Sequence, residues 1–242
     1  MAFRTRRGLG AACFARVEVN QPADVQLGKV EICPESVAGM RLREEPRTQA
    51  AYPVEWCTRA QDTCEKLAGV GVRSKRLFGL KDIKVYAVGL YVDPRDVQAK
   101  VRPAYGGSEE GQLEQKVFED VMDRDVKKTV RLVVHYGKLT SKKLIHALRE
   151  RCEKPLAASG KLGDLEVFET WFENLHLKKG LAVAFSADRG MLVTRVEGRV
   201  IGQIDSPELC RALFDIYLGK DPVSPDAKED FGKGVAGLLG KY

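Results

Sequence analysis

Three observations predict an α+β fold, with helices gathered on one side of a large, mainly antiparallel sheet. The stretch from Lys66 to Asp93, KLAGVGVRSKRLFGLKDIKVYAVGLYVD, shows strand periodicity on both sides of a turn at Phe78–Asp82. From Arg95 to Leu175 helical spacing dominates, interrupted by one apolar strand. Beyond Leu181, short strands separated by glycine turns lead into two Ser-Pro helix starts.

At 242 residues the chain is long enough for one substantial core or two small ones, and nothing in it looks like a long linker. No apolar run approaches the roughly 18 residues of a membrane span. The formal charge of +6 does not point to nucleic acid, because Arg4, Arg6, Arg7 and Arg16 supply much of it in a leader with no acidic residue before Glu18. Residues 1–16 read as an organelle transit peptide or an ordinary frayed terminus, and 17–242 as a single domain. Six cysteines are scattered without a C-x-x-C pair, and the three histidines do not cluster with them. They read as reduced structural thiols in a reducing compartment, with no zinc site and no cofactor.

Taken in order, residues 17–42 carry only a weak pattern, consistent with a peripheral strand or arm. Glu44–Trp56 reads as a turn and a short strand, with Pro53 placing it at an edge. The long hairpin follows. Helical spacing then covers Arg95–Val101 and Glu109–Met122, broken at Gly106-Gly107. Lys127–Tyr136, with its apolar middle, is a strand covered on both faces. Thr140 caps a helix expected to run to Lys154, before Pro155, with Leu144, Ile145, Leu148 and Cys152 in one stripe. A second helix is expected over Asp164–Leu175, burying Leu165, Phe168, Trp171 and Phe172. LAVAFS, MLVTRV and RVIGQI form a meander with turns at Asp188–Gly190 and Glu197-Gly198. Ser206-Pro207 and Ser224-Pro225 open the last two helices, the first ending at Gly219 and the second running toward Leu239.

One pair within the hairpin carries chemistry. A fold-back centred between Gly79 and Leu80 sets Arg73 opposite Tyr86, and such partners have Cβ atoms about 5 Å apart. A guanidinium and a phenol then converge in an apolar sheet, a receptor for a carboxylate. The ordinary alternative is a solvated arginine with its stem on apolar surface and a packing tyrosine with its hydroxyl at the rim.

The phrases Gly69-Val-Gly71-Val-Arg73, VYAVGLYVD, VVHYGKL (Val133–Leu139) and ALFDIYLGKDPVSPDAKEDF (Ala212–Phe231) resemble the chalcone isomerase fold family. The likeness covers about Glu44 to Phe231 and is nearest to the non-catalytic plastid fatty-acid-binding branch. It implies an open-faced β-sandwich with a ligand cleft between the sheet and the helices on one face. It also implies that Arg73 and Tyr86 hold the carboxylate of a medium- to long-chain fatty acid, in the chloroplast stroma or otherwise the cytoplasm. Val88, Leu90, Leu144, Leu148, Ile216 and Tyr217 are candidate cleft residues. In the catalytic branch the arginine is joined by a threonine on the next strand and by a tyrosine and an asparagine on a helix. Here Tyr86 stands at the threonine's place, and the helix positions fall to Thr140 and Ala147, so most of the polar set that cyclises a chalcone is missing. The alternatives are a chalcone isomerase, an intramolecular lyase, or a catalytically inactive accessory protein of flavonoid synthesis.

Overall fold

The Lys66–Asp93 stretch forms two long antiparallel strands, β4 (Cys64–Leu77) and β5 (Lys81–Val92). The structure, a computed structural model, describes residues 41–57, 64–77, 81–104 and 115–240. The leader and the three residues expected at the tip of the hairpin, 78–80, lie outside these. The described residues belong to one unit of the chain, Ile32–Tyr242.

β4 and β5 are the second and third strands of a seven-stranded sheet, all neighbours antiparallel. Its other members are β3 (Glu55–Cys57), β6 (Lys128–Val134), β7 (Ala182–Asp188), β8 (Met191–Val196) and β9 (Arg199–Asp205), in sequence order across the sheet. Alternation gives each strand two destinations. Tyr86, Val88, Leu90, Val130, Leu132, Val183 and Phe185 enter the main core beneath the helices. Ala87, Tyr91 and Ala184 face the other way, where Tyr52 and Trp56 cover them. Tyr52 comes from a small separate sheet, β1 (Leu42–Glu44) and β2 (Ala51–Pro53), and the Arg131 guanidinium lies against both aromatic rings, 5.3 Å from Tyr52 and 5.8 Å from Trp56. Pro53 thus ends an edge strand, where its missing N–H leaves no ladder bond unmade.

The helices start where their caps predict. Thr140, Ser206 and Ser224 each accept a hydrogen bond from the backbone N–H three residues on, opening α3 (Ser141–Ala158), α5 (Pro207–Leu218) and α6 (Pro225–Leu239). Two expected ends move. α3 continues through Pro155 to Ala158, held by Leu156, which is fully buried; a proline there forfeits one hydrogen bond and not the packing of the last turn. α4 is shorter than expected, Leu162–Thr170, and passes into turns that still bury Phe172 against Phe185. Upstream, α1 (Pro94–Asp96) continues as a π-helical turn, Val97–Val101, and a 3-10 turn, Arg102–Ala104. α2 is described over Gln115–Asp123, and the earlier part of its expected span lies outside the described residues.

The cysteine reading needs correction. Cys57 and Cys64 are directly opposed at the end of the β3–β4 pair and form a disulfide. Seven positions apart in sequence, they follow no familiar motif, and only the fold-back of β3 on β4 brings them together. Cys152 and Cys210 are buried free thiols, and burial pushes both up to about 12, away from reactivity. Cys13 and Cys33 lie outside the described residues.

Helix α6 lies directly along β4, because β3 covers only the first residues of that strand. Past Leu67 the strand edge is satisfied by the helix instead: the Asp230 carboxylate accepts the Val70 N–H at 2.8 Å, and the Ser224 hydroxyl donates to the Val72 carbonyl at 2.8 Å. Arg43 holds the same Asp230 carboxylate from β1. This contact requires glycine. A β-carbon at Gly69 would lie 2.7 Å from the Asp230 carbonyl carbon, one at Gly71 would strike Ala227, and one at Gly234 would strike the Ala68 carbonyl. Gly237, on the same helix, has open space around it. Gly234→Ala is therefore expected to lower the unfolding free energy by about 1–3 kcal/mol, whereas Gly237→Ala should leave it unchanged or raise it by up to about 1 kcal/mol. Denaturant unfolding of the two variants checks the contrast.

Candidate functional site

Arg73 and Tyr86 are cross-strand partners. The register that joins them is built from two irregularities. Ala68 is an extra residue on β4 and Val85 an extra residue on β5, so the pairing shifts by one on each side of the segment Gly69–Arg73. Nearer the tip, pairs such as Lys75 with Ile83 are one residue away from a simple count about the turn, and the Val85 bulge restores that count at Arg73. The Val85 carbonyl is not wasted. It accepts the N–H groups of His135 and Tyr136 as β6 ends.

From β4 and β5 the two side chains reach the helix side of the sheet. Arg73 Nη1 donates to the Tyr86 hydroxyl at 3.4 Å, and the guanidinium lies 5.9 Å from that ring's centroid. The Tyr86 hydroxyl is also 3.3 Å from the hydroxyl of Tyr217, a buried residue of α5. One guanidinium and two phenols thus form a chain between sheet and helix. Among the described residues no aspartate or glutamate forms an ion pair with Arg73, although the Glu150 charge on α3 acts on it from a distance. Burial alone would lower the Arg73 guanidinium, but the Tyr86 hydroxyl, Tyr217 and Glu150 outweigh it and hold the group above its ordinary value. Burial in turn raises the Tyr217 phenol well above the usual range. Arg73 stays charged and Tyr217 stays neutral across the accessible pH range.

Five of the six remaining candidates surround this chain as packed core, and the sixth, Tyr217, is its inner end. Val88 and Leu90 on β5, Leu144 and Leu148 on α3, and Ile216 and Tyr217 on α5 are each no more than 3% exposed. In this conformation they fill the space between sheet and helices. The two helix positions compared with the catalytic set cannot replace it: the Thr140 hydroxyl is tied to the start of α3, accepting from the Lys143 N–H at 3.3 Å on a side chain too short to reach as a phenol does, and Ala147 has no polar group to offer. Glu150 escaped the sequence reading. It lies one helical turn beyond Ala147 on an otherwise charged surface, and its spacing alone carries no signal.

A seven-stranded antiparallel meander with helices packed on one face is the architecture of a chalcone isomerase fold. Residues 111–231 match the family model described as chalcone isomerase-like. The chain is 31% identical over 218 residues to Fatty-acid-binding protein 1 of Arabidopsis thaliana, across 87% of this chain and 74% of that protein. It is also 31% identical over 204 residues to Chalcone isomerase-like protein 1 of Humulus lupulus, across 81% of this chain and 92% of that one. The crystal structure of an Arabidopsis thaliana fatty-acid binding protein superposes with a TM-score of 0.72 at 30% identity, covering 82% of this chain and 99% of the other. This chain belongs to the chalcone isomerase-like family.

A second concentration of polar groups lies on the opposite face of the sheet, and no sequence pattern singled it out. Glu65 on β4 is 1% exposed. Its Oε2 is 2.8 Å from the Thr129 hydroxyl, which is 2.8 Å from the Ser186 hydroxyl, and Ser186 accepts from Arg195 Nη1 at 3.3 Å. Glu65 Oε1 has no hydrogen-bond partner among the described residues. Burial pushes the Glu65 carboxyl up to about 7, against the Thr129 hydrogen bond and the Lys127 charge, with Asp93 adding to the rise and Arg195 opposing it. In the unfolded chain this carboxyl titrates near 4.5, so between the two values the folded state binds more protons. The stability it allows is present in full below the lower value and lost as pH rises through the upper one, a fall of roughly 3 kcal/mol. Unfolding titrations across this range should show that decline in the native chain and a flatter profile in Glu65→Gln.

Proposed function

We propose that this chain is a non-catalytic fatty-acid-binding protein, whose guest lies between the sheet and helices α3 and α5 with its carboxylate on Arg73 and Tyr86. The observation that carries the reading is the Arg73 guanidinium at the margin of an apolar core, hydrogen-bonded to the Tyr86 hydroxyl, which in turn meets Tyr217, and ion-paired with no described carboxylate. A half-buried cation left in that state has lost part of its hydration, and a carboxylate presented to its planar fork offsets that loss with charge-assisted hydrogen bonds. The names of the Arabidopsis thaliana relatives point the same way. We further propose, from the same kinship, that the protein serves fatty-acid metabolism in the plastid.

An acyl chain gains about 0.8 kcal/mol per buried methylene, on the order of 10 kcal/mol for roughly a dozen. Part of this offsets the parting of α3 and α5 from β5, since their facing side chains are packed together. The acyl chain supplies affinity and the carboxylate supplies position. Chalcone cyclisation is the less favoured reading, because Thr140, a short side chain held at the helix cap, and Ala147, which has no polar group, do not supply the donors that a developing enolate needs.

Denaturing extraction of the purified protein, followed by mass spectrometry, is expected to release a fatty acid. Arg73→Ala should abolish its retention while the fold persists, and Tyr86→Phe should weaken it by about 1.5–3 kcal/mol. Undiminished lipid in the Arg73→Ala protein would refute the site. Turnover of a chalcone above its spontaneous rate would select the isomerase instead.

A further inference from the structure

On the sheet face away from α3 and α5, a cavity of about 310 Å³ opens among Glu65, Lys127, Ser186, Asp188, Val193 and Arg195. It lies at the low end of the size range of small-molecule sites. Two features mark it as a built site. Glu65 lines it, and its Oε1 is buried with no hydrogen-bond partner among the described residues. Arg195 lines it with a guanidinium that donates to Ser186 and makes no ion pair with a described carboxylate.

These two unmet needs select the guest. A cation would meet Lys127, Arg189 and Arg195, three positive groups, of which Arg189 is paired with the Asp188 carboxylate. A neutral alcohol or amide would leave the charge on Arg195 uncompensated. A carboxylate answers both, because one oxygen can accept from the guanidinium fork and the other from a protonated carboxyl. Met191 and Val193 on the wall of the cavity accommodate a short aliphatic tail. We propose that this cavity binds a small aliphatic carboxylate, one oxygen on Arg195 and the other on the hydrogen of the Glu65 carboxyl. The site is separate from the one built on Arg73, since Glu65 and Arg195 face the side of the sheet opposite the helix core.

The arrangement makes binding depend on pH. Glu65 is faced by Thr129 and Lys127 from the β6 side, Ser186 from β7, Arg195 from β8 and the Asp93 charge beyond β5, with the Asp188–Arg189 pair on the same cavity wall, and burial pushes its carboxyl up to about 7. Loss of its proton puts a second negative charge against the guest.

Calorimetric titration of the full chain with sodium butyrate, at constant ionic strength, tests the proposal. The native protein should bind saturably at about pH 6 and at least about tenfold more weakly at about pH 8.5. Glu65→Gln, which keeps a donor at that position, should bind equally at both. Arg195→Gln should lose at least about tenfold at the lower pH. Arg73→Ala should bind butyrate like the native chain, so failure of the helix-side site and failure of this one are told apart. Absence of saturable binding by the native protein at the lower pH would overturn the proposal. So would undiminished binding by Arg195→Gln, or displacement of butyrate by equimolar inorganic phosphate. The native pH comparison needs no variant to fold.

Discussion

The contact between helix α6 and strand β4 is the constraint on which the rest of the molecule depends. β4 has a full neighbour on one side and only the three residues of β3 on the other. Its remaining edge would expose unpaired backbone groups, and α6 closes it with the Asp230 carboxylate and the Ser224 hydroxyl. The helix approaches closely enough for this because Gly69, Gly71 and Gly234 put no side chain between the two backbones. Arg73 follows two residues after Gly71, so the same contact that ends the sheet also holds the strand that carries the guanidinium.

The two faces of the sheet manage buried charge differently. On the helix side, Arg73 keeps its proton and is steadied by phenols, which lend partial negative character without neutralising it. On the other side, Glu65 lies at the end of a relay from Arg195 through Ser186 and Thr129, and burial shifts its balance toward the neutral acid. A fixed charge and an adjustable one are thus set on opposite faces of one sheet. Lys128 is a third case, buried on the helix side with its ammonium bonded to the Val126 carbonyl and set against the Phe214 ring.

Much of the architecture could be read from the chain. The alternation through Val85–Val92 identifies β5, and Ser206-Pro207 and Ser224-Pro225 mark the starts of α5 and α6 because capping is a local property. The pairing of Arg73 with Tyr86 was also within reach, although the bulges at Ala68 and Val85 that adjust it were not, since a bulge is settled by packing against neighbouring strands. The helix-side residues Val88, Leu90, Leu144, Leu148, Ile216 and Tyr217 were placed together by periodicity, but periodicity cannot distinguish a groove from a filled core. The Cys57–Cys64 bond and the Glu65 relay were illegible for a shared reason. Each joins side chains whose nearness comes from tertiary pairing of strands, and a lone glutamate or threonine in a strand carries no mark of its partner.

The paired bulges in β4 and β5 have a consequence for how the hairpin can change. One extra residue on each strand cancels over the whole length, so both ends of the ladder keep the same offset while the segment between them is displaced by one. Deleting a single residue on either strand would turn one row of side chains over, delivering an arginine or a tyrosine to the wrong side of the pleat. The length of this hairpin is therefore as restrictive as its composition, and tolerated insertions belong at its tip.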